Sequence, residues 1–247
     1  QLINSILHQR TQKCAGDTPM PLNAAQRKEN LLAAEEKAKQ LFLEIEDKGW
    51  IEAGISEVDL SNKIFDLAFE RFQTKKHWHK RIVRSGSNTL LPYSKNPPNR
   101  IITEDDILFF DFGPVFEQWE ADLGRTYVVG SDPEKIRLKE DVETCWGLGK
   151  EYFDKDPSMT GATLYAYVCE LAKRRSWEFG NEHCGHLIGK FPHERIQGEK
   201  TLNYIHPDNH TPMNAPDQFD DRRNWILEIH FIDTKQMIGG FFEQVLT

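Results

Sequence analysis

The chain has 247 residues, 38% of them hydrophobic and 28% charged, with a formal net charge of −8. That length makes one large domain or two small ones and buries a core without disulfides or a structural metal. The acidic balance argues against a nucleic-acid footprint, and no apolar run nears the ~18 residues that a membrane-spanning helix needs.

In chain order, residues 1–23 read as an irregular polar arm, and "QLINSIL" is too short for a signal-peptide core. From residue 24 to 48, Leu31, Leu32, Ala38, Leu41, Phe42 and Ile45 recur at helical spacing, and Gly49 is a stop. A second helix follows "GIS": Ser56 and Asp59 have capping-box spacing, and Val58, Ile64, Phe65, Ala68 and Phe72 form an apolar stripe. The basic run "KKHWHKR" at 75–81 reads as a solvated edge. "KRIVRSG" at 80–86 is a predicted strand, and "SNTLLPYSKNPPNR" a loop punctuated by Pro and Asn. "DILFFDFG" at 106–113 and "EADLGRTYVVG" at 120–130 are predicted buried strands. Asp132 and Pro133 open a third helix, and a fourth covers 160–176. Residues 197–223 are polar and proline-punctuated, a long loop; "NWILEIHFID" and "IGGFFEQVL" close the chain as strands. Helices, strands, helices, strands without a composition break make an α+β domain whose halves look alike. Cys14, Cys145, Cys169 and Cys184 form no CxxC pair, so a reducing, cytoplasmic setting is expected.

Acidic residues inside apolar strands are the anomaly: Asp111, Asp122, Glu228 and Glu243. A carboxylate in a buried strand is costly to ionise unless it is paired or on a metal. A hairpin centred at Phe116–Glu117 would set Asp111 and Asp122 opposite each other, about 5–6 Å apart. Like charges so close require a proton or a cation between them. Glu228 and Glu243 repeat the arrangement on two later strands. A borderline metal also favours an imidazole, and His186, flanked by Gly185 and Gly189 in "GHLIG", is the best placed; His193 follows seven residues on. Singly, each has a plain structural reading: a turn-edge Asp111, an Asp122–Arg125 ion pair, a Glu228–lysine pair, a core His186. Together, D–x10–D, GHxxG and two strand-embedded glutamates point to a metal site.

The pattern resembles the pita-bread metallopeptidases: methionine aminopeptidase, aminopeptidase P, prolidase and their creatinase relatives. "GISEVDL", "SGSNTLLPYSKNPPNR", "ILFFDFG", "ADLGRTYVVG", "GHLIGKFPHE", "ILEI" and "GGFFEQVL" carry it, over residues 24 to 247. The resemblance implies a pita-bread fold, a pseudo-twofold antiparallel sheet flanked by helices, forming a stand-alone catalytic domain over 24–247. It implies two divalent ions (Mn, Co, Fe or Zn). Asp111 would bind one, Asp122 and Glu243 would bridge both, and His186 and Glu228 would complete the other. Glu228 would stand near the attacking water and His193 would touch the substrate.

The sequence also departs from the family pattern. Tyr93 stands where proline-specific members carry a catalytic histidine, and Leu187 where a glycine is usual, a side chain expected to narrow the cleft. Arg195 and Ile196 follow "HE", Ile229 follows Glu228, and Phe241 replaces an arginine. His183 reads as structural and Cys184 as a neighbour only. The expected activity is dinuclear metal-dependent hydrolysis of a small peptide or amide through a metal-bridging water, without a nucleic-acid or membrane partner, in a homodimer. The departures keep two alternatives open: a pita-bread enzyme turned to another metal-dependent small-molecule reaction, or a non-catalytic binding member.

Overall fold

The structure, a computed structural model, describes residues 22–193, 195–216 and 222–247. Most of the expected arm, residues 1–21, therefore lies outside the described residues. Asn23, the last residue of the expected arm, caps the first helix, which starts at Ala24. Its side chain accepts from the Gln26 backbone N–H while the Gln26 side chain reciprocates, a capping box that starts α1, Ala24–Asp47. Helix α2, Glu57–Phe72, starts at Ser56, whose hydroxyl accepts from Asp59 N–H, and ends at Gln73 in the left-handed region. Helices α3, Pro133–Lys155, and α4, Gly161–Arg174, start at Asp132 and Thr160 in the same manner. Two residues assigned to the apolar stripes face solvent instead: Leu32 on α1 and Val58 on α2 are both exposed.

The strands are β1, Ile82–Ser85; β2, Asp106–Phe112; β3, Val115–Phe116; β4, Trp119–Glu120; β5, Leu123–Val129; β6, Glu178–Phe179; β7, Leu187–Ile188; β8, Asn224–Asp233; and β9, Ile238–Val245. The short β3, β4, β6 and β7 have too few residues to show a period of two, and none was legible in the sequence. Part of the expected loop after β1 is a 3₁₀ turn, Gly86–Leu90. Six strands form an antiparallel sheet in the order β1-β2-β5-β9-β8-β6, with β7 also pairing to β8. The order is symmetric about the β5–β9 contact. Each half contributes two helices and then three strands, which is the pseudo-twofold the similar halves implied.

Residues one step along from the acidic positions point to the helices. Phe110, Phe112 and Leu123 pack with Leu31, Phe42 and Ile64 of α1 and α2. Leu227, Ile229 and Phe242 pack with Leu138, Val142 and Leu164 of α3 and α4. The Phe42 ring meets Phe110 and Phe112 edge-on, at 5.6 and 6.1 Å between centroids, contacts worth about 0.5–1.5 kcal/mol each beyond burial. Helices thus cover one face of the sheet, and the carboxylates, alternating with these residues, occupy the other.

The hairpin carrying the two aspartates is one residue off the expected centre. It turns at Glu117–Gln118, both at positive φ (52° and 78°), and β3 pairs Val115 with Glu120 and Phe116 with Trp119. Two positive φ values in a two-residue loop give the primed turn whose twist suits a hairpin, made here without the usual Asn-Gly. Asp111 therefore lies opposite Gly124, not Asp122. The shift moves the pairing by two residues, one full period, so both aspartates still share a face.

Candidate metal centre

One row of cross-strand partners builds the site: Asp111 opposite Gly124, Gly124 opposite Glu243, and Glu243 opposite Glu228. The row runs across β2, β5, β9 and β8, and Asp122 stands two residues before Gly124. Glycine at 124 leaves the middle of the row open to its neighbours, since a Cβ there would come within 2.4 Å of the Phe241 ring and 2.9 Å of Glu243 Cβ.

His186 reaches the row from the segment before β7. Its backbone is wedged against β8: Ile226 N–H donates to His186 O, and Glu228 N–H to Cys184 O. Gly185 makes this approach possible. Its φ is 148°, and a Cβ would lie 2.0 Å from the Ile226 carbonyl oxygen. Gly185→Ala is expected to cost on the order of 3 kcal/mol, since the obstacle is backbone and the φ disfavours a side chain. Chemical denaturation should show that loss, and a melting point about 6–12 °C lower should accompany it.

The His186 ring donates through Nδ1 to Leu187 O at 2.7 Å, which turns Nε2 toward the carboxylates. Nε2 lies 3.2 Å from Asp122 Oδ2, 3.5 Å from Glu228 Oε1 and 3.6 Å from Glu243 Oε1. Asp122, His186 and Glu243 form one group whose ligand atoms lie within 4.8 Å of one another, and His79, Asp111 and Asp122 form a second. Asp122 belongs to both. Glu243 Oε2 is buried and has no hydrogen-bond partner among the described residues. A buried oxygen of an ionisable group in that condition is costly, and a cation relieves the cost.

The electrostatics express the same shortage of positive charge. Burial, reinforced by Asp122, raises the Asp111 carboxyl to about 6 against the pull of His79. Burial and the neighbouring aspartates push Glu228 up to about 8 against the pull of His186. Burial, Asp122 and the other two carboxylates raise Glu243 well above the usual range. Burial favours the protonated form of Asp122 too, but the His79 charge and hydrogen bonds from His186 and His79 overcome it and hold the carboxyl low. Burial alone would lower the two histidines, yet Asp122 and Asp111 bring His79 to about 9. Hydrogen bonds from the His186 ring to Asp122 and Glu243 likewise hold it well above its ordinary value. Protons on these groups do what a cation would do.

A cavity of about 590 Å³ opens over the row, and its walls include Trp78, Tyr93, His183, His193 and Tyr204. All seven residues singled out in the sequence line it: Asp111, Asp122, His186, His193, Glu228, Glu243 and Tyr93. The His193 Nδ1 is 2.9 Å from Glu120 Oε2, and Glu120 is fully buried. The ring stacks on Trp78 at 4.5 Å and 8°. Tyr93 is partly exposed, and its oxygen accepts from the Lys80 N–H at 3.2 Å. Burial raises its phenol above the ordinary value, so near neutral pH it is a hydrogen-bond donor and acceptor rather than a base.

Two expectations are corrected here, for Leu187 and for the basic run. Leu187 does not narrow the cleft: it pairs with Trp225 on β8, packs into the core against α3 and α4, and is absent from the cavity lining. His183, read as structural, lines the cavity with Nδ1 3.7 Å from Glu228 Oε1. The basic run 75–81 is not a solvated edge. Residues 76–78 run beside β3, with Val115 N–H donating to Lys76 O and Trp78 N–H to Gly113 O. This brings the buried His79 imidazole to Asp122 and Asp111. No local signal marked His79, because the surrounding lysines and arginine outweigh it in composition. Gly113, just after the strand-embedded aspartate, was the available hint. Cys184 is fully buried in the core, a neighbour as expected.

The model of metallopeptidase family M24 matches residues 29–219. The Xaa-Pro dipeptidase of Pyrococcus horikoshii is 29% identical over 115 residues, covering 46% of this chain and 32% of that protein. The chain thus spans about a third of the length of the curated relative it matches. Among solved structures, Xaa-Pro dipeptidase from Bacillus anthracis superposes with a TM-score of 0.73 at 19% identity, covering 92% of this chain and 61% of that one. Methionine aminopeptidase from Thermotoga maritima superposes with a TM-score of 0.69 at 15% identity, covering 92% and 98%. At these identities the superpositions establish the fold. Among the described residues, no helix is long and apolar enough to cross a membrane.

Proposed function

The chain belongs to metallopeptidase family M24, and from that premise we propose that residues 24–247 act as a dinuclear metal-dependent hydrolase of a small peptide or amide. One observation carries the reading: Asp111, Glu228 and Glu243 on their strands, Asp122 just before β5, and His186 converge on one cavity, leaving Glu243 Oε2 buried without a partner among the described residues. Asp111, Asp122, His186, Glu228 and Glu243 would hold two divalent ions, with Asp122 and Glu243 shared. The donor set of oxygens with an imidazole suits Mn, Co, Fe or Zn. Two ions held so would activate a water and polarise the scissile carbonyl.

The remaining steps fall to the chain's own groups. Glu228 faces the cavity beside His186 and would take a proton from the attacking water and deliver it to the leaving nitrogen. His193, turned by Glu120 and stacked on Trp78, has Nε2 left for a substrate group. Tyr93 offers its hydroxyl at the rim.

The test starts from metal-stripped protein. Reloaded separately with Mn, Co, Fe or Zn, it is assayed on Xaa-Pro dipeptides, amino-terminal methionyl peptides and simple amides. Two ions per chain and turnover with at least one metal are expected; absence of turnover with every metal overturns the hydrolase reading. Tyr93 in a position where the resemblance implies histidine, and Phe241 where it implies arginine, motivate a second reading, a different metal-dependent reaction on the same centre. Two bound ions without cleavage of any peptide or amide would favour it.

A further inference from the structure

We propose that His79 is a sixth metal-ligating residue, so that the centre holds two histidines and four carboxylates. The inference rests on the dinuclear reading and names a ligand that reading lacks. Three observations support it independently of each other.

The first is the way the ring is held. His79 Nδ1 lies 2.7 Å from Lys80 O, the carbonyl of the next residue, and can meet it only by donating a proton. A neutral ring then presents its Nε2 lone pair to Asp122 Oδ1 at 3.0 Å and Asp111 Oδ1 at 3.5 Å. His186 does the same, with Nδ1 on Leu187 O and Nε2 on carboxylates. A ligating histidine characteristically gives its other N–H to a backbone carbonyl, which fixes tautomer and orientation. Donors about 2.1 Å from one ion are roughly 3.0 Å apart at a right angle and 3.4 Å apart at a tetrahedral angle. The two separations at His79 match those edges.

The second observation is the space reserved for the ring. A Cβ on Gly113 would lie 2.3 Å from His79 Cδ2 and Nε2, and 2.5 Å from Trp78 Nε1. Gly113 is needed here for room, not for its φ. The indole of Trp78 donates to Ala121 O at 2.9 Å, and its backbone N–H to Gly113 O, so the segment bearing His79 is fixed on both strands of the hairpin. The imidazole stands preorganised against the two aspartates rather than swinging in from solvent.

The third is charge. Asp111, Asp122, Glu228 and Glu243 carry four negative charges when ionised, and two divalent ions neutralise them. A protonated His79 would then leave an uncompensated charge in a buried site. A neutral ring would direct its lone pair at two carboxylate oxygens unless an ion lay between them. Ligation satisfies both conditions. The ion on the Asp111 side then has nitrogen as well as oxygen donors, which moves its preference from hard ions such as Mg²⁺ toward Co²⁺, Zn²⁺ and Fe²⁺.

The test uses the full chain, stripped of metal and titrated with Co²⁺, following stoichiometry and affinity by calorimetry and the ligand field by visible absorption. Wild type is expected to bind two ions. His79→Ala should weaken one of them by at least about tenfold and change the absorption bands, while the other keeps its affinity. In His79→Gly, free imidazole should restore the lost affinity and bands. That rescue shows that a loss is due to the missing ring and not to misfolding. A His79→Ala protein that binds two ions with wild-type affinity and spectrum overturns the inference while leaving the dinuclear centre standing. So does a His79→Gly protein whose loss imidazole does not repair. Wild type that binds fewer than two ions overturns the dinuclear reading itself, and this inference with it.

Discussion

Asp122→Ala is expected to remove both metal binding and turnover, with kcat/KM falling at least about 10³-fold, some 4 kcal/mol of transition-state stabilisation. Among the described residues, no other belongs to both groups of potential ligands. Asp122 Oδ1 faces His79 at 3.0 Å and Oδ2 faces His186 at 3.2 Å, so one carboxylate ties the two halves of the site together. Its removal leaves two buried imidazoles without their nearest anion and, in the proposed centre, would take an oxygen from each ion. The substitution should be milder on folding, because Asp122 lies just before β5 and on the face away from the helices. Metal analysis and a kinetic assay check it together. An Asp122→Ala protein that keeps two ions and wild-type kcat/KM would refute the shared-ligand arrangement.

The second large effect is a stabilisation by metal that grows with pH. Without metal, Asp111 is raised from 3.8 to about 6 and Glu228 from 4.5 to about 8. His79 is raised from 6.5 to about 9. All three shifts have one sign: the folded chain holds protons that the unfolded chain has released. The contribution of each group is therefore complete below its unfolded value and is lost as pH rises through its folded value. The melting temperature of metal-free protein should fall between about pH 6 and pH 9. Asp122 acts in the opposite sense, but below that window, because its carboxyl is held low. Metal needs the carboxylates ionised and the imidazoles neutral, so its affinity rises across the same window. At a hundredfold excess over Kd, binding adds about 2.7 kcal/mol, equivalent to roughly 5–11 °C for a chain of this size. Calorimetric scans with and without Mn²⁺ at pH 6, 7 and 8.5 should show the shift widening with pH. A metal-induced shift that is constant, or largest at pH 6, would contradict the proposed ligand protonation states.

The symmetry of the sheet accounts for the placement of the four acids. Asp111 and Glu228 lie on the middle strand of their halves, while Asp122 and Glu243 lie at or on the two strands that meet at the centre. Two similar halves with β5 and β9 paired bring Asp111, Glu243 and Glu228 into one row, with Asp122 two residues from it on the same face. His79 and His186 then reach that row from separate segments outside the four acid-bearing strands.

The sequence by itself determined the features whose causes are local. Helix starts at Ser56 and Asp132, read from the sequence, depend on a side chain three or fewer residues from its partner, and so do the caps at Asn23 and Thr160. An acid inside an apolar strand is costly wherever that strand packs, so Asp111, Glu228 and Glu243 stood out before any contact was known, as did Asp122, which lies just before β5 rather than in it. The tertiary structure decided what depends on residues distant along the chain. The centre of the aspartate hairpin followed from positive φ at Glu117 and Gln118, which carry no glycine or asparagine signal. Leu187 turned into the core because β7 pairs with Trp225, and Leu32 and Val58 faced solvent because the helix stripes were narrower than their apolar letters. His79, in a run of basic residues, became a partner of Asp122 only through a strand-like contact with residues 113–115 and the space left by Gly113. Burial cost is a property of one residue and can be read singly; proximity is a property of two segments, and only their packing supplies it.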